Sequence, residues 1–181
     1  MIDRKLVEKV LDKALENGAD FAEIFVEDNY SSRIQFFDSK TQQSIVGKDF
    51  GAGVRVFFGF TVIYAYTNDL SEKALLEAAA AAGSAMKKNQ RNSVIDLTKR
   101  SFEKIHNFTH HPAQVAKSEK IDFMRKIDKA ARAFHNQIVQ VDLTMIERAQ
   151  KVLIANTEGV WAEDERIYAR IASTAIASNG T

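Results

Sequence analysis

The sequence has no cysteine and one proline, Pro112, among its 181 residues. Without cysteine there is no disulfide framework and no thiolate zinc site, which suits a reducing compartment. Excess charge is also missing. Lys and Arg number 25 against 24 for Asp and Glu, for a net charge of +1. That balance offers no electrostatic footprint for nucleic acid. No apolar run is long enough to span a bilayer, since Ala78 to Ala82 is short and only weakly apolar. Met1-Ile2-Asp3-Arg4-Lys5 lacks the apolar core of a signal peptide. These absences point to a cytoplasmic chain with neither membrane nor nucleic acid as a partner. No histidine is followed by glutamate. No serine, histidine and acid arrangement suggests a nucleophile.

What is present centres on Asp20 to Asp69, where most β-branched and aromatic residues of the first half collect. Strands are expected at Phe21–Val26, Arg33–Phe37, Gln43–Val46, Gly51–Phe58 and Phe60–Thr67. The turn Asp38-Ser39-Lys40 follows the second, and Gly59 joins the last two. Around them lie three helical patterns. Asp3 to Asn17 is amphipathic and stops at Gly18. Ser71 caps a helix to about Lys87, with Leu70 and Leu75 as a hydrophobic staple and an alanine run suited to packing on a sheet. Ser118 to His135 carries the stripe Ile121, Met124, Ile127, Ala131 and Phe134. Strands then follow at Ile138–Met145, Val152–Ala155, Val160–Ala162 and Ile167–Ser178, with a turn at Asn156-Thr157-Glu158-Gly159. The expected class is α+β: mixed, mostly antiparallel sheet with helices packed on one face.

The second half repeats the first in pattern. At an offset of 118 residues, Asp38-Ser39-Lys40 falls on Asn156-Thr157-Glu158, and Phe21, Phe25 and Phe36 fall on Val139, Leu143 and Ile154. Residues 1–181 are therefore expected to form one unit with halves at about 1–89 and 118–181, joined by a linker over 90–117. The hairpin signal Asn179-Gly180 has no returning strand after it, so Ile167 to Ser178 is expected to end mid-sheet with an unpaired edge.

Candidate site residues are few. His106, His110 and His111 make the one metal-like cluster, but Asn107, Thr109 and Pro112 argue for a polar loop, and no glutamate stands between them. Arg55 either meets a substrate carboxylate or partner, or lies on the solvent face of an alternating strand, the reading that is favoured. Thr67 and Asn68, the other substrate or interface candidates, are most simply a turn leading to Ser71. Gly51 and Gly53 are structural, marking a bulge or a close backbone approach, and Gly59 is a turn residue. Glu163 to Arg166 is expected as a charged, solvated loop, and Trp161 as packing.

Gly18-Ala19-Asp20-Phe21-Ala22-Glu23, Gly51-Ala52-Gly53-Val54-Arg55-Val56 and Ala65-Tyr66-Thr67-Asn68-Asp69-Leu70-Ser71 together resemble the N-terminal domain of the TldD/PmbA family. So do Lys126 to Arg132, Val152 to Gly159 and Ala162 to Arg166, the last two resembling the TldD branch more than the PmbA branch. The family is described as modulators of DNA gyrase and metal-dependent peptidases. The resemblance implies a cytoplasmic peptidase assembly of paralogous subunits, as a homo- or heterodimer, acting on extended peptides or unfolded proteins. Its zinc is held by a C-terminal His-Glu-x-x-x-His helix that this sequence lacks, so no cofactor is expected in this chain. The implied role is non-catalytic: shaping the substrate cleft and subunit interface. The alternative is a free-standing protein-interaction module without peptidase activity.

Overall fold

The computed structural model describes residues 2–85, 97–99 and 107–180. Helix α1 (Arg4–Leu15) leads into long strands β1 (Phe21–Phe37) and β2 (Lys40–Phe58), then β3 (Thr61–Thr67) and helix α2 (Glu72–Ser84). After the two-residue β4 (Thr98–Lys99) and a short 3-10 turn at Pro112–Gln114 come helix α3 (Lys117–Phe134), β5 (Ile138–Asn156) and β6 (Val160–Ala177). The fold is α+β. The six strands are ordered β3-β2-β1-β5-β6-β4, with β2 and β3 antiparallel and β4 parallel to β6.

Two compact units share the strands. Of the described residues, one unit takes 2–28, 49–85, 97–99 and 151–165, and the other takes 29–48, 107–150 and 166–180. The division therefore crosses the long strands as well as passing between residues 99 and 107. Expected pairs of short strands are single long ones. Phe21–Val26 and Arg33–Phe37 lie in β1, Gln43–Val46 and Gly51–Phe58 lie in β2, and Glu163 to Arg166 is strand, not loop. The physical reason is that ladder hydrogen bonds come from neighbouring strands, so pairing continues where side-chain patterning lapses.

The first unit is the larger core. Val7, Val10, Leu11, Ala14 and Leu15 form the buried stripe of α1, whose cap is Asp3, accepting from the Lys5 N–H at 2.8 Å. Gly18 follows with φ +83°, the left-handed stop expected there. Ser71 caps α2 by accepting from the Ala74 N–H at 3.3 Å. The alanine run packs on α1 as well as the sheet. A Cβ added at Gly83 would lie 2.6 Å from the Ala14 carbonyl oxygen, so the two helices meet at backbone distance. Both cover the sheet face formed by Ala22, Ile24 and Val26 of β1 and Ala52, Val54, Val56 and Phe58 of β2. Leu97, within the expected linker, is also fully buried in this core.

The second unit has a smaller apolar core: Ile34, Phe36, Met124, Val141, Leu143 and Met145. Helix α3 starts one residue before Ser118, and its cap position is Ala116, with no side-chain cap bond. Lys120 supplies the missing anchor. Its Nζ donates to the Pro112 carbonyl at 2.7 Å and to Glu147 Oε2 at 2.6 Å. Ser32 Oγ donates to the same carboxylate oxygen. All three side chains are buried. Phe134, expected in the stripe, is 85% exposed, and the fully inward row is Lys120, Met124 and Asp128. Asp128 accepts from Ser39 Oγ at 2.7 Å and from Arg132 Nε at 3.2 Å. Arg132 also donates to Asp38 at 2.8 Å. Asp38 and Ser39 have φ +45° and +62°, as a tight two-residue hairpin requires, and this clasp holds that turn on α3.

Past Trp161, the flank of β6 opposite β5 carries no ladder among the described residues; β4 reaches only Val160 and Trp161. No helix of the described residues is long and apolar enough to cross a membrane.

The Lys120–Glu147 pair makes a sharp prediction. Lys120→Met leaves a buried carboxylate uncompensated and costs roughly 3–5 kcal/mol, whereas Lys120→Met with Glu147→Gln removes both charges and costs distinctly less. Urea midpoints of the two variants check this. A double variant no more stable than the single one contradicts it.

Candidate functional site

Helices α1 and α2 pack on one face of the β1–β2–β3 sheet in the first unit, and the second face carries neither of them. Alternation sends Ala22, Ile24, Val54, Val56, Ile63 and Ala65 to the helix side. It leaves Phe21 and Glu23 of β1, Gly53, Arg55 and Phe57 of β2, and Val62, Tyr64 and Tyr66 of β3 on the other. The register is regular: Phe57 pairs with Val62, Arg55 with Tyr64 and Gly53 with Tyr66.

An ordered row of rings results. Phe21 meets Phe57 edge-on at 5.4 Å between centroids, and the Arg55 guanidinium lies 5.5 Å over the Phe57 ring. Tyr64 and Tyr66 stack at 6.2 Å with 24° between planes. They are 58% and 80% exposed. Gly53 makes room for this: a Cβ there would fall 2.0 Å from Tyr64 Oη, so the ring lies across the glycine. Gly51 allows a close backbone approach, with its Cβ position 2.9 Å from the Thr67 carbonyl. Neither has a positive φ, and the ladder is unbulged from Ala52 to Phe58. Gly59 has φ +60° and donates its N–H to Asp20 at 2.6 Å. Phe58 pairs directly with Thr61, so the loop contains Phe60 as well as Gly59, and Phe60 is fully exposed. A positive-φ glycine at the first loop position is the II′ arrangement.

Arg55 does lie on the outward face, but paired: its Nη2 reaches Glu23 Oε1. Thr67 belongs to a local turn, accepting from the Asp69 N–H at 3.0 Å, and Asn68 is exposed beside it. Asp69 accepts in turn from the Ser71 N–H at 2.8 Å. That backbone N–H, with the Ser71 hydroxyl, holds the Asp69 carboxyl below its ordinary range. The structure thus brings Arg55 into the aromatic row and leaves Thr67 and Asn68 in the turn before Ser71. Tyr64, Tyr66, Glu23 and Phe57 were not singled out by sequence reasoning; the alternation of Thr61–Thr67 is the signal that finds them.

Of the clustered histidines, His110 and His111 fall among the described residues. His111 Nδ1 accepts from the Ala113 N–H at 3.1 Å, and its ring lies 6.0 Å from Tyr30. His106 lies outside the described residues. No group of three or more His, Asp or Glu that could hold a metal occurs among the described residues. The site offers ring faces, a paired cation and a sheet edge, all of them means of binding.

Residues 22–85 match the profile of PmbA/TldA metallopeptidase domain 1, and residues 110–181 match that of the PmbA/TldA metallopeptidase central domain. The chain belongs to the PmbA/TldD family. It is 28% identical over 118 residues to a metalloprotease TldD homolog of Buchnera aphidicola subsp. Schizaphis graminum, a match covering 65% of this chain and 24% of that protein. It is 22% identical over 177 residues to the TldD homolog of Haemophilus influenzae, covering 94% and 36%. Among solved structures, a protein named as a candidate modulator of DNA gyrase from Bacteroides thetaiotaomicron has a similar fold, with TM-score 0.76, 15% identity and coverage of 100% and 43%. TldE from Thermococcus kodakarensis aligns with TM-score 0.69 and 13% identity, covering 97% and 40%. This PmbA/TldD chain thus spans a quarter to about two fifths of these proteins.

The Asp69 turn predicts a pH dependence. Its folded pKa lies below the ordinary 3.8, so its contribution is full above 3.8 and is lost as pH falls below it. Asp69→Asn should lower the melting temperature at neutral pH, with the gap to the parent closing as pH falls below 3.8. A gap that widens on acidification contradicts this.

Proposed function

We propose that this chain is the non-catalytic N-terminal part of a TldD-like zinc metallopeptidase, shaping the peptide cleft and the surface met by a second subunit. The observation that carries the reading is the order of the two matches: metallopeptidase domain 1, then central domain, on a sequence with no His-Glu-x-x-x-His. Zinc, on this reading, is held by residues outside this chain. The partner is a paralogous TldD/PmbA-type subunit, in a homo- or heterodimer, and the substrate is an extended peptide or unfolded protein in the cytoplasm. Neither DNA nor membrane takes part. The near-zero net charge supports this for DNA, because few phosphates could be neutralised and counterion release would contribute little.

The division of labour can be tested in two steps. The reading frame encoding the chain, followed past codon 181, should contain a His-Glu-x-x-x-His helix. The product of the whole frame should retain zinc through dialysis, while residues 1–181 alone should retain none and should leave a carboxymethylated, unfolded protein uncut. A stop codon after Thr181 would favour the free-standing interaction module. Zinc held stoichiometrically by residues 1–181 would overturn the proposal.

A further inference from the structure

We infer that β3 is a docking edge for an extended, uncharged polypeptide strand whose alternate side chains lie against the Tyr64–Tyr66 row. The inference deepens the cleft reading above and takes from it that the occupant is a peptide.

Strand β3 is terminal in the sheet order, with β2 on one side and no strand on the other among the described residues. All seven of its residues pair with β2 in regular register, so the outer row of main-chain groups runs without a bulge. Edges of this kind are normally blunted by charge, proline or a bulge. Thr61–Thr67 has none of these: it reads TVIYAYT. The other open stretches are different. The Lys40–Asp49 part of β2 carries Lys40, Lys48 and Asp49, and β6 carries Arg166 and Arg170, with no aromatic residue beyond Tyr168. The one guanidinium on the β3 face, Arg55, is neutralised by Glu23. Charge complementarity therefore selects an uncharged strand over an acidic segment or a phosphate backbone.

The face adds side-chain recognition to the edge. A strand added beside β3 would place every second side chain next to Val62, Tyr64 and Tyr66. The two tyrosines are already stacked, and Tyr64 is held over Gly53, so little rotamer freedom remains to be lost on binding. Phe60, fully exposed at the loop, extends the apolar row past one end of the strand. Main-chain pairing sets the affinity, and the aromatic row favours peptides with aliphatic or aromatic residues at alternate positions.

The test uses the 181-residue chain and an uncharged eight-residue peptide of alternating valine and threonine around one tyrosine, with both ends blocked. Amide exchange read by NMR should show new protection between Val62 and Tyr66 on adding peptide. The same peptide N-methylated at alternate residues should bind at least about tenfold more weakly, because its main-chain donors are gone. Tyr64→Ser with Tyr66→Ser should weaken the unmodified peptide by about tenfold. Protection appearing instead on Lys40–Lys48 or on β6 would overturn the β3 assignment and leave the cleft reading standing. Concentration-dependent protection of β3 without peptide would identify a second copy as the occupant and overturn the inference. Absence of binding, or equal binding of the N-methylated peptide, would overturn it too. The zinc and reading-frame experiment above is unaffected by these outcomes, so the two readings fail separately.

Discussion

Side-chain alternation along strands of 17 to 19 residues is the constraint on which the rest of this fold depends. In β1 the buried residues are Ala22, Ile24 and Val26, and then Ser32, Ile34 and Phe36. All are even-numbered. The first three belong to one core and Ile34 and Phe36 to the other. In β5, Val141, Leu143 and Met145 serve one core and Leu153 and Ala155 the other, all odd-numbered. Between the blocks lie residues such as Glu27, Asp28 and Tyr30, which are only partly buried. One period, set once, fills two cores.

The two cores are held differently. In the first unit, small residues let α1 and α2 meet at backbone distance, and apolar burial is the main driving force. In the second, the apolar cluster is small and polar groups are buried beside it. Lys120, Glu147 and Ser32 form one satisfied network, and Asp128, Arg132, Asp38 and Ser39 form another. Such networks add less net stability than their contacts suggest, but they are costly to leave half-made. They fix where α3 begins and where the β1–β2 turn sits.

Much of this was legible in the sequence. Ser71 and Gly18 delimit helices for reasons of capping, and Asp38-Ser39 and Asn156 to Gly159 turn the chain because their backbones need positive φ or side-chain acceptors. In chain order, α1 is followed by β1 and β2, and α3 by β5 and β6. The continuity of the strands was not legible, since the partners that pair through polar stretches are distant in sequence. Nor was the start of α3, because a buried lysine reads as a surface residue until its carboxylate is placed. At the site, Arg55 was visible as a charge among apolar residues, but its partner Glu23 lies 32 positions away. The role of Gly53 depended on a ring from the next strand.

The fold, and with it the placement of Arg55, Tyr64 and Tyr66 on one face, depends on that single period. The direct measurement is amide exchange on two shortened chains. Deleting Asn29 alone inverts the faces of one block of β1 relative to the other, whereas deleting Asn29 and Tyr30 together preserves them. The single deletion should lose slow exchange around either Ala22–Val26 or Ile34–Phe36, and the double deletion should keep both. Slow exchange in both blocks of the single-deletion chain would contradict that dependence.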